Sequence, residues 1–392
     1  MKTITVNWKA VQKAGNFFPW IYDNEILKMP AGLHGGDPVE IVSPDGRFLA
    51  IGYANPASRI CIRILTFRRE PVTASLMENR ICQAAFRRKD ILAKTNAVRL
   101  VHAEADELPG LIVDSYAGYL SVQINTAGME MWREAILEAL RKQPGTRGIY
   151  EKPDRRARTK EGLPAEEKIL AGDIPDRIEI RENEIVYYVR LKEGQKTGFY
   201  LDQRRNRSIV AGYVREGDRV LDAFCHAGGF GIHAAVRGAG LVRFLDVSRA
   251  ALEQVEQNAS LNGAERIETV QAEAFDYLAK AAYGGPSYDL VILDPPSFAK
   301  TKREKQGALK GFRHLILNGA RLLAPGGLMA VFSCSHHVEM EDLIRTVRDA
   351  SAETRRKPEI LEWLKQDLDH PVVPHFPPSL YLKGLLLRWQ AA

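Results

Sequence analysis

An apolar strand that ends in a carboxylate, crosses a turn of small residues and enters an alanine-rich helix restricts this chain most. It runs Asp218-Arg219-Val220-Leu221-Asp222-Ala223-Phe224-Cys225-His226-Ala227-Gly228-Gly229-Phe230-Gly231. That order of elements is the first βα turn of a doubly wound nucleotide-binding sheet. Glycine is needed there because a ligand must approach the backbone more closely than a Cβ allows. Gly228, Gly229 and Gly231 do not follow the G-x-G-x-x-G spacing of dinucleotide binders. Asp222 at the strand end would repel a pyrophosphate and hold a cationic amino-acid group. The turn therefore favours S-adenosylmethionine over a dinucleotide, with a plain packing turn as the competing explanation.

The pattern around this turn is α/β from Lys192 onward. Strands are predicted at Val220–Leu221, Leu241–Asp246, Ile267–Gln271, Tyr288–Leu293 and Leu328–Phe332. Helices alternate with them at Gly229–Arg237, Arg249–Asn262, Ala274–Ala282 and Lys305–Leu323, and Tyr381–Trp389 reads as a closing antiparallel strand. The continuous apolar run Tyr288–Leu293 suits a central parallel strand covered on both faces.

The chain of 392 residues has room for two or three domains, and its 45% hydrophobic and 27% charged residues are the profile of a globular protein. No run of about 18 apolar residues predicts a membrane span, and the first residues lack the apolar core of a signal peptide. Cys61, Cys82, Cys225 and Cys334 form no C-x-x-C pair, so neither a metal site nor a disulfide framework is expected. A cytoplasmic protein is the expectation. Residues 1–72 read as short strands of a small β barrel, with Lys9, Lys13, Arg63, Arg68 and Arg69 available for an RNA-binding face. Residues 73–190 read as a small α/β unit. Its predicted elements are a helix Val72–Lys94, three strands between Ala97 and Asn125, a helix Met129–Lys142, a loop or short extension over Tyr150–Lys160 and a hairpin around Glu182-Asn183-Glu184. Residues 191–392 hold the nucleotide-binding sheet.

The net charge of +6 is modest, but its distribution is uneven. Arg141–Lys160 holds eight Lys/Arg and two acids, Arg80–Arg99 six against one, and Lys300–Arg313 six against one. Three such clusters fit a polyanion such as nucleic acid, the competing explanation being solvated faces.

Chemistry is expected at the carboxyl ends of the strands. Asp246 would accept hydrogen bonds from both ribose hydroxyls of an adenosine, or else cap the following helix. Glu273, Ala274 and Phe275 would frame an adenine ring, Phe275 stacking on it or packing in the core. Asp294-Pro295-Pro296-Ser297-Phe298 resembles the Asp/Asn-Pro-Pro-aromatic grip of amino-group methyltransferases, with Ser297 in the aromatic place. Cys334, at the end of the next strand in Ser333-Cys334-Ser335-His336-His337, is a candidate nucleophile beside Asp294. Cys225 competes for that role, and His336 and His337 read as peripheral.

Taken together, the chain resembles bacterial cytosine carbon-5 methyltransferases of large-subunit ribosomal RNA, the RlmI-like group, over nearly its whole length. The resemblance rests on Leu108–Asp114, Tyr150-Glu151 with Arg158, Glu161, Gly162 and Leu163, the run Gly194–Arg204, Ala227–Phe230, Asp294–Pro296, Phe332–Ser335, Asp369–Pro371 and Tyr381–Gly384. It implies a PUA-like RNA-binding barrel, a small α/β connector and a class I methyltransferase domain. It also implies Cys334 as nucleophile, ribosomal (23S) RNA as substrate and a homodimer. The candidate catalytic residues are Cys334, Asp294 and Pro295, the proline carbonyl reading an amino group. The candidate S-adenosylmethionine residues are Gln195, Thr197, Phe199, Asp222, Phe224, Ala227, Gly228, Asp246, Val247, Glu273, Ala274 and Phe275. Two other readings remain open at this stage: methylation of an exocyclic amine, and a non-catalytic RNA-binding assembly factor.

Overall fold

The computed structural model describes residues 1–192, 197–299 and 301–390. They form two compact units: residues 1–181, 189–192, 197–201 and 368–379, and residues 182–188, 202–299, 301–367 and 380–390.

The first unit begins with a six-stranded sheet in the order Trp20–Ile21, Ile62–Thr66, Phe48–Ala54, Pro38–Val42, Lys2–Val6, Ile26–Lys28. Helix Trp8–Gly15 starts at Asn7, whose side chain accepts the Ala10 N–H at 3.0 Å, and it turns Ala10 and Ala14 onto Ile4, Ile41 and Ile62. A second sheet of five strands follows, from Ala97–His102 to Lys168–Ala171, packed by helices Ala74–Arg87 and Arg133–Arg141. Barrel residues Tyr53 and Leu65 share its core with Met77, Ile81 and Val113. Tyr53 Oη also donates to the Pro109 carbonyl at 2.8 Å. Gly128 permits this seam, because a Cβ there would lie 2.0 Å from the Tyr53 ring.

Arginines that look like free charge in the sequence are building material here. Arg63 is ion-paired with Glu104 and Glu161 at 2.9 and 3.2 Å, and Lys13 with Glu25 at 2.7 Å. Both are therefore removed from the expected RNA-binding face. Arg88 is 1% exposed and donates to Asp106, the Arg99 carbonyl and the Asp369 carbonyl. Its inward turn breaks the predicted Val72–Lys94 helix into Ala74–Arg87 and Lys89–Leu92. Arg99 pairs with Asp114, and Arg158 is buried against Glu130. Arg158 lies on a short helix, Arg155–Lys160, capped by Asp154. The exposed cations that remain in these clusters include Arg155, Arg156, Lys160, Lys302, Arg303 and Lys310, while Lys300 lies outside the described residues.

The second unit is built on a seven-stranded sheet. Its strands in chain order are β1 Arg219–Ala223, β2 Leu241–Asp246, β3 Ile267–Gln271, β4 Tyr288–Leu293, β5 Leu323–Ser333, β6 Pro358–Lys365 and β7 Lys383–Trp389. The order across the sheet is β3-β2-β1-β4-β5-β7-β6, with β1 to β5 parallel and β7 antiparallel to both neighbours. Leu221, Val291, Leu293, Val331 and Leu385 form one core with Phe312 and Ile316 of helix Lys305–Leu322. β5 starts at Leu323 rather than at the expected Leu328, because Leu323 already pairs with Tyr288 before an irregularity in register.

Glu182 is buried in this unit between Arg207 and His233, with Arg207 Nε 2.7 Å and His233 Nε2 3.0 Å from Oε1. Burial opposes the charge, but the guanidinium and the imidazole outweigh it and hold the carboxyl well below its ordinary range. The stabilisation is thus present above the unfolded value of about 4.3 and is lost as pH falls through the lower folded one. Glu182→Gln leaves Arg207 buried without its carboxylate and is expected to cost about 3 kcal/mol. Urea unfolding at pH 7 measures this, and the variant should also lose part of the acid-induced destabilisation seen in the unaltered protein.

Candidate functional site

Every strand-end residue singled out in the sequence lies at the carboxyl edge of the seven-stranded sheet. β1 places Asp222, β2 places Asp246 and Val247, β3 leads into Glu273, Ala274 and Phe275, β4 ends before Asp294 and β5 before Cys334. Parallel pairing makes this inevitable, since all five strands run the same way.

The β1 turn is tight and partly strained. Phe224, His226 and Gly228 all have positive φ, at 61°, 49° and 81°. For Phe224 and His226 that conformation costs energy that a plain connection would not carry. The turn is held by the Cys225 N–H on the Leu245 carbonyl, the Gly228 N–H on the Cys225 carbonyl and Asn258 Nδ2 on the Ala227 carbonyl. Glycine is required at Gly231, where a Cβ would lie 2.3 Å from the Phe244 ring. This glycine therefore serves helix packing against β2 rather than ligand approach.

Asp222 is 1% exposed and accepts the Gly231 N–H at 2.8 Å, inside the first turn of helix Gly229–Val236. Part of the carboxylate expected to face a ligand is thus committed to the helix end. Burial, together with the charges of Asp294 and Asp246, pushes its protonation up to about 7, against the Gly231 N–H and Arg207. Asp246 accepts the His226 N–H at 3.0 Å and the Ser248 N–H at 2.9 Å. The cap of the following helix is Ser248, which leaves Asp246 outside that role. Its oxygens each keep a second lone pair for a hydroxyl donor.

Three carboxylates ending β1, β2 and β4 make this edge a negative pole. Such a pole suits a ligand carrying ammonium and sulfonium charges and opposes a pyrophosphate. Beside it lies an aromatic series: Phe224 meets Phe275 edge to face at 6.4 Å, and Phe275 meets Phe298 at 5.7 Å. Phe275 is half-buried, Val247 is 60% exposed, and Glu273 caps helix Ala274–Ala281 through the Phe275 N–H. Phe275 both packs on the core and shows a face, so the two roles weighed for it are not exclusive. Thr197 and Phe199 belong to the first unit, where Thr197 donates to Asp114 and the Phe199 N–H donates to Tyr116 Oη. Gln195 lies outside the described residues.

The second half of the edge carries the thiol. Leu293 stands opposite Val331 across β4 and β5, so Asp294 lies level with Phe332 and Cys334 two residues further out. Pro295 is buried and Asp294 half-buried. The buried Ser335 hydroxyl donates to the Ala299 carbonyl at 2.8 Å, tying the loop after β5 to the loop after β4. Gln203 Nε2 donates to Asp294 at 3.0 Å, and Asn206 Nδ2 fixes the same amide from its other end at 2.6 Å. Cys225, the rival thiol, is buried, and burial with Asp222 and Asp246 pushes its thiol well above the ordinary range. That setting makes a poor nucleophile.

Gln203, Asn206 and Ser335 carry no role in the sequence reading. Gln203 falls in the Gly194–Arg204 run, which composition alone makes a polar loop, whereas it leads into the helix Arg204–Ala211 with Arg204, Asn206 and Arg207 buried. A polar helix whose buried face is itself polar gives no apolar period to detect.

Because Asp222 holds a proton until about pH 7, a cationic ligand paired with it must expel that proton below neutrality. Affinity for S-adenosylmethionine should fall roughly tenfold between pH 7.5 and pH 6. Asp222→Asn should flatten this dependence and weaken binding at pH 7.5 by at least about tenfold, as measured by calorimetry.

A family described as S-adenosylmethionine-dependent methyltransferase matches residues 158–388, and a PUA-like domain matches residues 4–67. "Ribosomal RNA large subunit methyltransferase I" of Shewanella denitrificans is 38% identical over 378 residues, covering 94% of this chain and 95% of that protein. Its namesake from Aeromonas salmonicida is 39% identical over 376 residues, with the same coverages. The SMU.776 structure, determined with SAH, is 22% identical, covers 99% of this chain and 100% of that one, and has a TM-score of 0.87, a likeness of fold. The chain belongs to the S-adenosylmethionine-dependent methyltransferases, in the family of ribosomal RNA large subunit methyltransferase I.

Proposed function

We propose that this methyltransferase forms 5-methylcytosine in large-subunit (23S) ribosomal RNA, with Cys334 as the covalent nucleophile and Asp294 and the Pro295 carbonyl gripping the base. The observation that carries this reading is the pairing of β4 with β5, which sets a carboxylate and a thiol on adjacent strand ends of a methyltransferase sheet. The names of its relatives supply the substrate class. The residues of the second unit that would hold S-adenosylmethionine are Asp222, Phe224, Ala227, Gly228, Asp246, Val247, Glu273, Ala274 and Phe275. Bound there, the cofactor would supply an electrophilic methyl group, its sulfonium becoming a neutral thioether on transfer.

The chain's own part is to make carbon-5 reactive. The Cys334 thiolate forms a bond to carbon-6 of the cytosine, and the displaced ring electrons make carbon-5 nucleophilic. After methylation a base takes the carbon-5 proton, the electrons return to the ring and the carbon–sulfur bond breaks, restoring the thiolate. Asp294, its position fixed by Gln203, would hydrogen-bond the polar edge of the base during these steps. The cytosine must leave its stack to reach the sheet edge, costing roughly a few kcal/mol unless it is already unpaired. In the same reading the enzyme works in the cytoplasm as a homodimer.

Methylation of an exocyclic amine needs no thiol. Ser297, in the place of the expected aromatic, turns its hydroxyl back toward the Ala299 carbonyl of its own loop at 3.4 Å and stacks on nothing. Cys334→Ala is expected to reduce methyl transfer from labelled cofactor to 23S RNA by at least about a thousandfold while leaving cofactor binding within about twofold. Methylation retained by that variant would sink the covalent reading and favour the amine.

A further inference from the structure

Lys383 is the first residue of β7, the strand that lies antiparallel against β5. Its Cα stands opposite Ser333, the residue before Cys334. The side chain is 4% exposed. An ammonium has three donors, yet among the described residues this one reaches a single hydrogen-bond acceptor, the neutral Ser335 carbonyl, at 2.9 Å. Burying a cation with so little compensation is expensive, and the next four residues of β7 (Gly384, Leu385, Leu386, Leu387) are buried and carry no polar side chain.

The charges facing this ammonium can be named from each neighbouring element. Burial pushes the amine below its ordinary range, and Glu339, Cys334 and Asp342 oppose that shift. Asp342 is committed to Lys305 and Arg345 and to the Glu339 N–H. Glu339 is exposed, at the start of helix Met340–Thr354. Lys365 of β6 pairs with Lys383 through the backbone, and its own side chain is exposed. His336 sits at the surface with its ring enclosed by neighbours. Burial, then Lys383 and His337, hold it below the usual histidine range. Cys334 is the anion-forming group on the segment that Lys383 grips.

We propose that Lys383 is the positioning residue for the nucleophile: its buried ammonium, anchored on the Ser335 carbonyl, keeps the Cys334 sulfur in its anionic form. This rests on the covalent reading above and extends it to the means by which the thiol is activated. The two are tested separately, because thiol reactivity needs neither RNA nor cofactor.

The test is the rate of iodoacetamide alkylation of each cysteine, read by peptide mass spectrometry between pH 6 and pH 10. The proteins compared are the unaltered chain, Lys383→Met and Lys383→Arg. Exposed Cys82 is the internal reference. In the unaltered protein the midpoint for Cys334 should lie at least one pH unit below the ordinary thiol value of about 8.5. Lys383→Met should raise that midpoint by a unit or more, slowing alkylation at pH 7 at least about tenfold. Lys383→Arg should restore most of the rate, and Cys82 should not respond. An unaltered-protein midpoint equal to that of Cys82 overturns the proposal without need of any variant, as does a Lys383→Met protein with an unshifted midpoint. If Cys334→Ala abolishes methylation while the thiol titrates normally, Lys383 loses its role and the covalent reading stands. If Cys334→Ala retains methylation, the reading falls whatever the alkylation profile shows.

Discussion

Side-by-side parallel pairing of β4 and β5 is the constraint on which the rest of the second unit depends. It fixes Leu293 opposite Val331, and everything chemical beyond that point follows from where each strand stops. Asp294 and Cys334 do not find one another through flexible loops. Each is the first residue past the end of its own strand, and the Ser335 hydroxyl bonded to the Ala299 carbonyl ties the loops that follow. A site built at strand ends inherits the rigidity of the sheet.

The electrostatics of the edge follow from the same arrangement. Parallel strands deliver their carboxylates to one side, and Asp294 and Asp246 there add to the cost that burial places on ionising Asp222. Such a cluster is poorly satisfied by protein alone, as the elevated protonation of Asp222 shows. The chain offsets part of the cost with backbone N–H donors from Gly231, His226 and Ser248. What remains is a preference for positive charge, of the kind a sulfonium or an ammonium would meet. The left-handed conformations of Phe224 and His226 show that this turn is held against local preference by its surroundings.

Much of this was legible in the sequence because it is written in local pattern. The apolar strands with terminal acids, the small-residue turn and the Asp-Pro-Pro and Ser-Cys-Ser ends announce themselves within a few residues. What escaped detection is held by long-range polar contacts. Strand β6 gives no such local signal, because an exposed edge strand lacks clean alternation, whereas helix Met340–Thr354 does carry Leu343, Val347 and Ala350 at helical spacing. Gln203 and Lys383 were visible only as members of recurring motifs, since nothing local says that a glutamine will orient an aspartate 91 residues away. Counting basic residues misled in the opposite direction. Arg63, Arg88, Arg99 and Arg158 pair with internal carboxylates or carbonyls, so a cluster along the chain is not a patch on the surface.

The place of β7 has a consequence for how the protein is made. Of the seven strands it is the last to be synthesised, yet it lies between β5 and β6, which come before it. Until residues 383–389 arrive, β5 has an open edge and β6 has no neighbour to pair with, and open edges invite pairing with other chains. Two of the seven strands must therefore wait, and this side of the sheet is completed by a late insertion rather than grown strand by strand. A nascent chain still lacking that stretch would hold its carboxylate-lined turn in nearly final form while its Cys334 thiol stood on an unfinished border, so the two halves of this edge mature at different times.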